Sequence, residues 1–64
     1  MELHQIRCFL TACETLSFTR AAEKLDVSVP SLTGAIHALE EEFGGQLFRR
    51  ERHLTYLTDL GRLM

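Results

Sequence analysis

Four groups of side chains in this 64-residue chain are able to do chemistry. Arg49, Arg50 and Arg52 fall within four positions, with His53 beside them. Guanidinium groups present planar forks of donors that suit phosphate or carboxylate oxygens. Ser28, Ser31 and Thr33 place small hydroxyls among Val29, Pro30 and Gly34, and His37 follows. That stretch can hydrogen-bond yet has little bulk, so another molecule can approach it closely. Glu40, Glu41 and Glu42 form a run of carboxylates. It reads as a solvated face, or as a charge that keeps anions off that stretch. His4 and Cys8, four apart, share a helix face at metal-ligand spacing. Two ligands fall short of the three or four that zinc takes from a protein. Cys8 and Cys13 lie roughly 140° apart around a helix and cannot bridge within it; Cys13 reads as a small core residue. No catalytic set is visible: His37 has no nucleophile partner, and no Gly-rich phosphate loop exists. The chain is not expected to be an enzyme.

The elements that hold these groups follow from apolar spacing and capping residues. Leu3, Ile6, Phe9, Leu10, Cys13 and Leu16 recur every three or four positions and predict a first helix with that stripe inward. Ser17 is an N-cap residue for a short helix over 18–25, whose inward face is Ala21, Ala22 and Leu25. Ser28 caps a third helix over 29–43, with Pro30 in its first turn and Leu32, Ile36, Leu39 and Phe43 inward. Gly44-Gly45 ends it. The period then changes. Residues 46–50 and 54–58 are rich in strand formers around Glu51-Arg52-His53 and predict a β-hairpin. Thr58 caps a further helix, with Asp59 at its positive end and Leu60, Leu63 and Met64 beginning a new apolar stripe.

Length and charge bound what this arrangement can do. A chain this short supports one core and buries only about 60 % of its unfolded surface. Two cysteines allow at most one disulfide, so this is no disulfide scaffold. With 45 % hydrophobic and 25 % charged residues the composition is globular. No stretch approaches a membrane span. The start Met1-Glu2 has no basic or apolar leader, which points to a reducing cytoplasm. The net charge of −2 argues mildly against a nucleic-acid partner. Its distribution does not: residues 1–42 hold three basic and seven acidic side chains, whereas residues 43–64 hold four basic and two acidic.

A two-turn helix, a tight turn and a longer capped helix make a helix-turn-helix, and the hairpin after it makes the winged form. The third helix fits a DNA major groove, about 12 Å wide. Its free N–H groups then face bases and phosphates, with Val29, Pro30, Thr33, Gly34 and His37 outward. Arg50, Arg52 and His53 on the wing can reach an adjacent minor groove or phosphates; Arg50 can equally pin the hairpin to the body. Two alternatives remain: a protein-interaction winged helix, and a metal- or thiol-responsive module using His4 and Cys8.

The chain resembles the N-terminal DNA-binding domain of LysR-type transcriptional regulators over essentially its full length. The resemblance is carried by residues 17–25 (Ser-Phe-Thr-Arg-Ala-Ala-Glu-Lys-Leu), by Val27-Ser28-x-Pro30-x-Leu32, and by Ile36-x-x-Leu39-Glu40-Glu41-Glu42-Phe43-Gly44. Leu47-Phe48-x-Arg50 and Leu57-Thr58-x-x-Gly61 complete it. It implies a mainly α winged helix-turn-helix: a three-helix core, a β-hairpin wing at about 47–57 and the start of a dimerisation helix. On that reading residues 1–57 bind DNA and 58–64 begin the linker. The resemblance also implies a homodimer or higher oligomer, and a bacterial, cytoplasmic, nucleoid-associated regulator. It implies no cofactor in this domain and no membrane, with a small-molecule effector bound in a C-terminal domain that lies outside this chain. Ser28, Ser31 and Arg20 are expected to position the DNA backbone. Three residues depart from the family pattern. Val29 stands where a glutamine is common, Gly34 where a long polar residue is, and His53 where a basic one is. Valine offers a base only apolar contact, for example to a thymine methyl, so base preference is expected to be partly the chain's own.

Overall fold

Serine caps and left-handed residues divide the first two thirds of the chain into three helices. A computed structural model describes residues 2–51 and 54–63, with the side chains of Arg50, Glu51 and Leu54 outside that description. Helix α1 spans Leu3–Thr15 and ends on Leu16, whose φ is 50°. A left-handed leucine costs roughly 1–2 kcal/mol; its N–H is satisfied by donating to the Ala12 carbonyl (2.8 Å). Helix α2 spans Phe18–Leu25. Ser17 Oγ accepts from the Arg20 N–H (3.3 Å) at its start, and Asp26, a residue that tolerates the left-handed region, closes it at φ 59°. Helix α3 spans Val29–Phe43. The Ser31 N–H donates to Ser28 Oγ (3.2 Å), and Gly44 ends the helix at φ 75°. These caps stand where the sequence places them.

The three helices meet over small residues. Cys8, Ala12, Ala21, Leu32 and Leu39 are fully buried, with Phe9, Phe18, Ala22 and Ile36 around them. Small side chains let helix axes approach closely, and this turns α1 away from the expected orientation. Its inward face is Cys8, Phe9 and Ala12, while Leu3, Leu10 and Leu16 are 66 %, 53 % and 47 % exposed. Cys13, expected in the core stripe, is half-buried at its margin. On α3 the stripe holds through Leu39, but Phe43 is exposed and Ala35 is buried instead.

Strands β1 (Phe48–Glu51) and β2 (Leu54–Leu57) form the wing. They pair antiparallel, with Phe48 opposite Leu57, Arg49 opposite Tyr56, Arg50 opposite Thr55 and Glu51 opposite Leu54. The ladder starts two residues later than expected because Gln46 and Leu47 are bonded elsewhere. Thr58 Oγ1 donates to the Gln46 carbonyl (2.5 Å), and the Thr58 N–H donates to the Leu47 carbonyl (3.0 Å). The Phe48 ring packs between Phe9 and Phe18, 5.5 Å from each, and so seats the wing on α1 and α2.

Helix α4 (Asp59–Leu63) begins where Thr58 Oγ1 accepts from the Gly61 N–H (3.1 Å). Of its expected stripe, Leu60 packs on the core and Leu63 is 84 % exposed, while Met64 lies outside the described residues. Gly61 takes the inward place: a Cβ there would overlap the Leu47 carbonyl oxygen. Among the described residues no helix is long and apolar enough to cross a membrane.

Candidate nucleic-acid interface

Burying Leu32, Ile36 and Leu39 forces the opposite side of α3 outward. Val29, Pro30, Ser31, Gly34 and His37 are exposed there and Thr33 is half-buried. Spacings of three and four put positions 30, 33, 34 and 37 on one face. An α-helix leaves its first N–H groups without intrahelical partners, which makes its N-terminus attractive to anions; in α3 Pro30 has no N–H, and that of Ser31 donates to Ser28 Oγ (3.2 Å). The first turn of α3 contains no acidic residue to oppose that. Gly34 has open space around it: a Cβ built there meets no atom within 4 Å. Packing therefore does not demand this glycine, and its effect is to keep the outer surface low. Arg20 is exposed on α2. The structure thus gathers Ser28, Val29, Pro30, Ser31, Thr33, Gly34 and His37 on the N-terminal half of α3. Of the wing residues, Arg50 has its backbone in β1 and its side chain outside the description. Arg52 and His53 lie outside the described residues.

The structure corrects the reading of the acidic run. Glu41 and Glu42 are exposed, but the Glu40 side chain is only 15 % exposed. Its Oε2 accepts from the Leu47 N–H (2.9 Å) and stands 3.5 Å from the Phe48 N–H. Its Oε1 faces His37 Nε2 at 4.0 Å. A carboxylate near a helix C-terminus meets the negative end of the dipole. Compensation comes here from backbone amides at the root of the wing. A cleft of about 280 Å³ runs beside this contact, with His37, Glu40, Gln46 and Arg49 among its lining residues. Sequence reasoning missed Glu40, although a signal existed: it follows Ile36 by four and Leu39 by one, which sets it at the edge of the inward stripe.

The His4–Cys8 pair does share a face, with Cys8 Sγ 3.8 Å from His4 Nε2. The thiol is fully buried, however, and burial pushes its pKa up, away from the thiolate that binds metals or reacts. Burial, and then the Glu14 charge, push Cys13 up as well. Among the described residues no three His, Cys, Asp or Glu side chains gather where they could hold a metal ion. The Lys24–Glu14 pair (3.0 Å) is exposed on both sides, as solvated faces are.

Comparison with known proteins places this geometry. Residues 3–62 match the model of the bacterial regulatory helix-turn-helix protein, lysR family. The chain is 45 % identical over 62 residues to the HTH-type transcriptional regulator IlvR of Caulobacter vibrioides, covering 97 % of this chain and 21 % of IlvR. It thus spans about a fifth of the length of such relatives. Among solved structures, a LysR-family transcriptional regulator from Eggerthella lenta matches with a TM-score of 0.92 at 38 % identity, over 98 % of this chain and 90 % of that one. The BenM DBD in complex with catB site 1 DNA matches with a TM-score of 0.91 at 41 % identity, over 98 % and 71 %.

Proposed function

The chain belongs to the lysR family of bacterial regulatory helix-turn-helix proteins, and from that premise we propose that it reads double-stranded DNA for a transcriptional regulator. The N-terminal half of α3 enters the major groove, and the wing lies over the adjacent minor groove or backbone. The observation that carries this reading is the open, acid-free first half of α3, capped by Ser28 and buried along its opposite side. Val29 and Thr33 meet base edges, by apolar contact with a thymine methyl and by a hydroxyl. Gly34 brings the helix backbone close to the bases, and His37 sits at the edge of the contact. Ser28, Ser31 and Arg20 meet phosphates, as do Arg50, Arg52 and His53 on the wing. Residues 1–57 form the DNA-reading body and 58–64 begin the helix that joins two copies. A domain beyond this chain binds a small-molecule effector.

Titration with duplex DNA at a series of salt concentrations tests the reading. At about 0.9 per phosphate, about 3–5 phosphates contacted per copy give a fall in log K of roughly 2.7–4.5 per decade of salt. Absence of binding by the intact protein at low salt contradicts it.

A further inference from the structure

The Glu40 carboxylate reaches both parts of the proposed reading surface. One oxygen receives the Leu47 N–H and lies near that of Phe48, at the root of the wing. The other faces His37 on the exposed side of α3. We infer that Glu40 is a positioning residue for DNA binding: it sets the direction in which the wing leaves α3.

Three observations lead there. First, the carboxylate sits at a pivot. β1 begins at Phe48, and the basic side chains follow at Arg49 and Arg50. A strand advances about 3.3 Å per residue, so a small rotation at Phe48 moves the far end of β1 several times further than its root. Second, the bond ties the root to α3. Thr58 holds the Gln46 and Leu47 carbonyls from the side of β2 and α4, whereas the Glu40 carboxylate holds the Leu47 and Phe48 N–H groups from α3. The Phe48 ring between Phe9 and Phe18 fixes how deeply the root is seated. The rings set position by area burial and a shallow edge-to-face preference, whereas a carboxylate aimed at a backbone N–H fixes the orientation of the peptide itself. Third, the group is where it is despite its cost. A carboxylate in the C-terminal half of a helix opposes the dipole, and this one is largely covered. Charge-assisted bonds to backbone amides are among the stronger hydrogen bonds, and they offset that cost only in this geometry.

The inference rests on the proposal that the wing touches phosphates, and the experiment separates the two. The probe is a duplex selected from a random-sequence pool by the intact wild-type protein. Affinity is measured against salt for wild type, Glu40→Ala, Glu40→Gln and Arg52→Ala. Glu40→Ala misdirects the wing, so its salt slope is shallower by about 0.9 for each phosphate the wing no longer neutralises. Its affinity is then lower by on the order of tenfold per phosphate at 0.1 M salt and converges on wild type near 1 M. Loss of folded protein lowers the bound fraction without changing the slope. Glu40→Gln keeps an oxygen that accepts from the same amides and restores the wild-type slope. If Glu40→Ala does not fold, by circular dichroism, Glu40→Asp withdraws the carboxylate by one methylene and is read in its place. A wild-type slope in Glu40→Ala, or the same defect in Glu40→Gln, overturns the inference when Arg52→Ala is shallower. Wild-type slopes in both Glu40→Ala and Arg52→Ala overturn the wing proposal beneath it.

Discussion

The two halves of α3 belong to one helix and are built for opposite tasks. The first half exposes Val29, Pro30, Ser31, Gly34 and His37, with no acid in its opening turn and open space at Gly34. The second half carries Glu40, Glu41 and Glu42, and is tied to the wing through Glu40. Its end is fixed by Gly44 and by Gly45, whose N–H donates to the Glu40 carbonyl (3.1 Å). A surface that must accept a ligand stays open and keeps its side chains short. A surface that must hold a neighbouring element fills its hydrogen bonds within the fold. The boundary runs between His37 and Glu40.

Substitutions in the wing and α4, the elements packed beyond the second half of α3, are expected to have the largest effects. Phe48→Ala removes the ring that Phe9 and Phe18 grip and is expected to cost about 3–5 kcal/mol. That equals the entire stability of many domains of this size, so the variant should already be unfolded at roughly 37 °C, where mesophilic domains are normally still folded, and show no cooperative transition on heating. Gly61→Ala forces a methyl against the Leu47 carbonyl and the Leu57 side chain. A cost of about 1–3 kcal/mol follows, read as a lowered urea midpoint. In the reading half the same chemical change has the opposite sign. Gly34→Ala meets no neighbour and removes a mid-helix glycine, which stabilises by up to about 1 kcal/mol. It should nonetheless weaken DNA binding, because the new methyl stands on the surface proposed to approach the bases. A variant that is both more stable and a better binder would erase the contrast between the halves.

Much of this organisation is legible in the sequence, and the exceptions share a cause. The ranges of α2 and α3 follow from Ser17, Ser28 and Gly44, because capping is local and depends on residue type. The outward residues of α3 follow from its inward stripe. The orientation of α1 does not. Periodicity gives weight to the large Leu3, Leu10 and Leu16, but the close helix crossings select Cys8 and Ala12. Glu40 is hidden for a related reason. Its partners are backbone amides seven and eight positions away, and backbone amides carry no residue signature. The family pattern carried the fold and the DNA-reading function, and the departures at Val29 and Gly34 are legible against it; the structure adds that both lie on the exposed face of α3.

On the proposed reading, the first half of α3 reads bases while the wing supplies phosphate contacts. Binding-site selection from a random duplex pool, run in parallel for wild type, Thr33→Ala and Arg52→Ala, tests it most directly. Thr33→Ala is expected to change preference at one base position by about 1–3 kcal/mol, and Arg52→Ala to weaken binding evenly across sequences. An even loss in both variants, with the selected sequence unchanged, would contradict it.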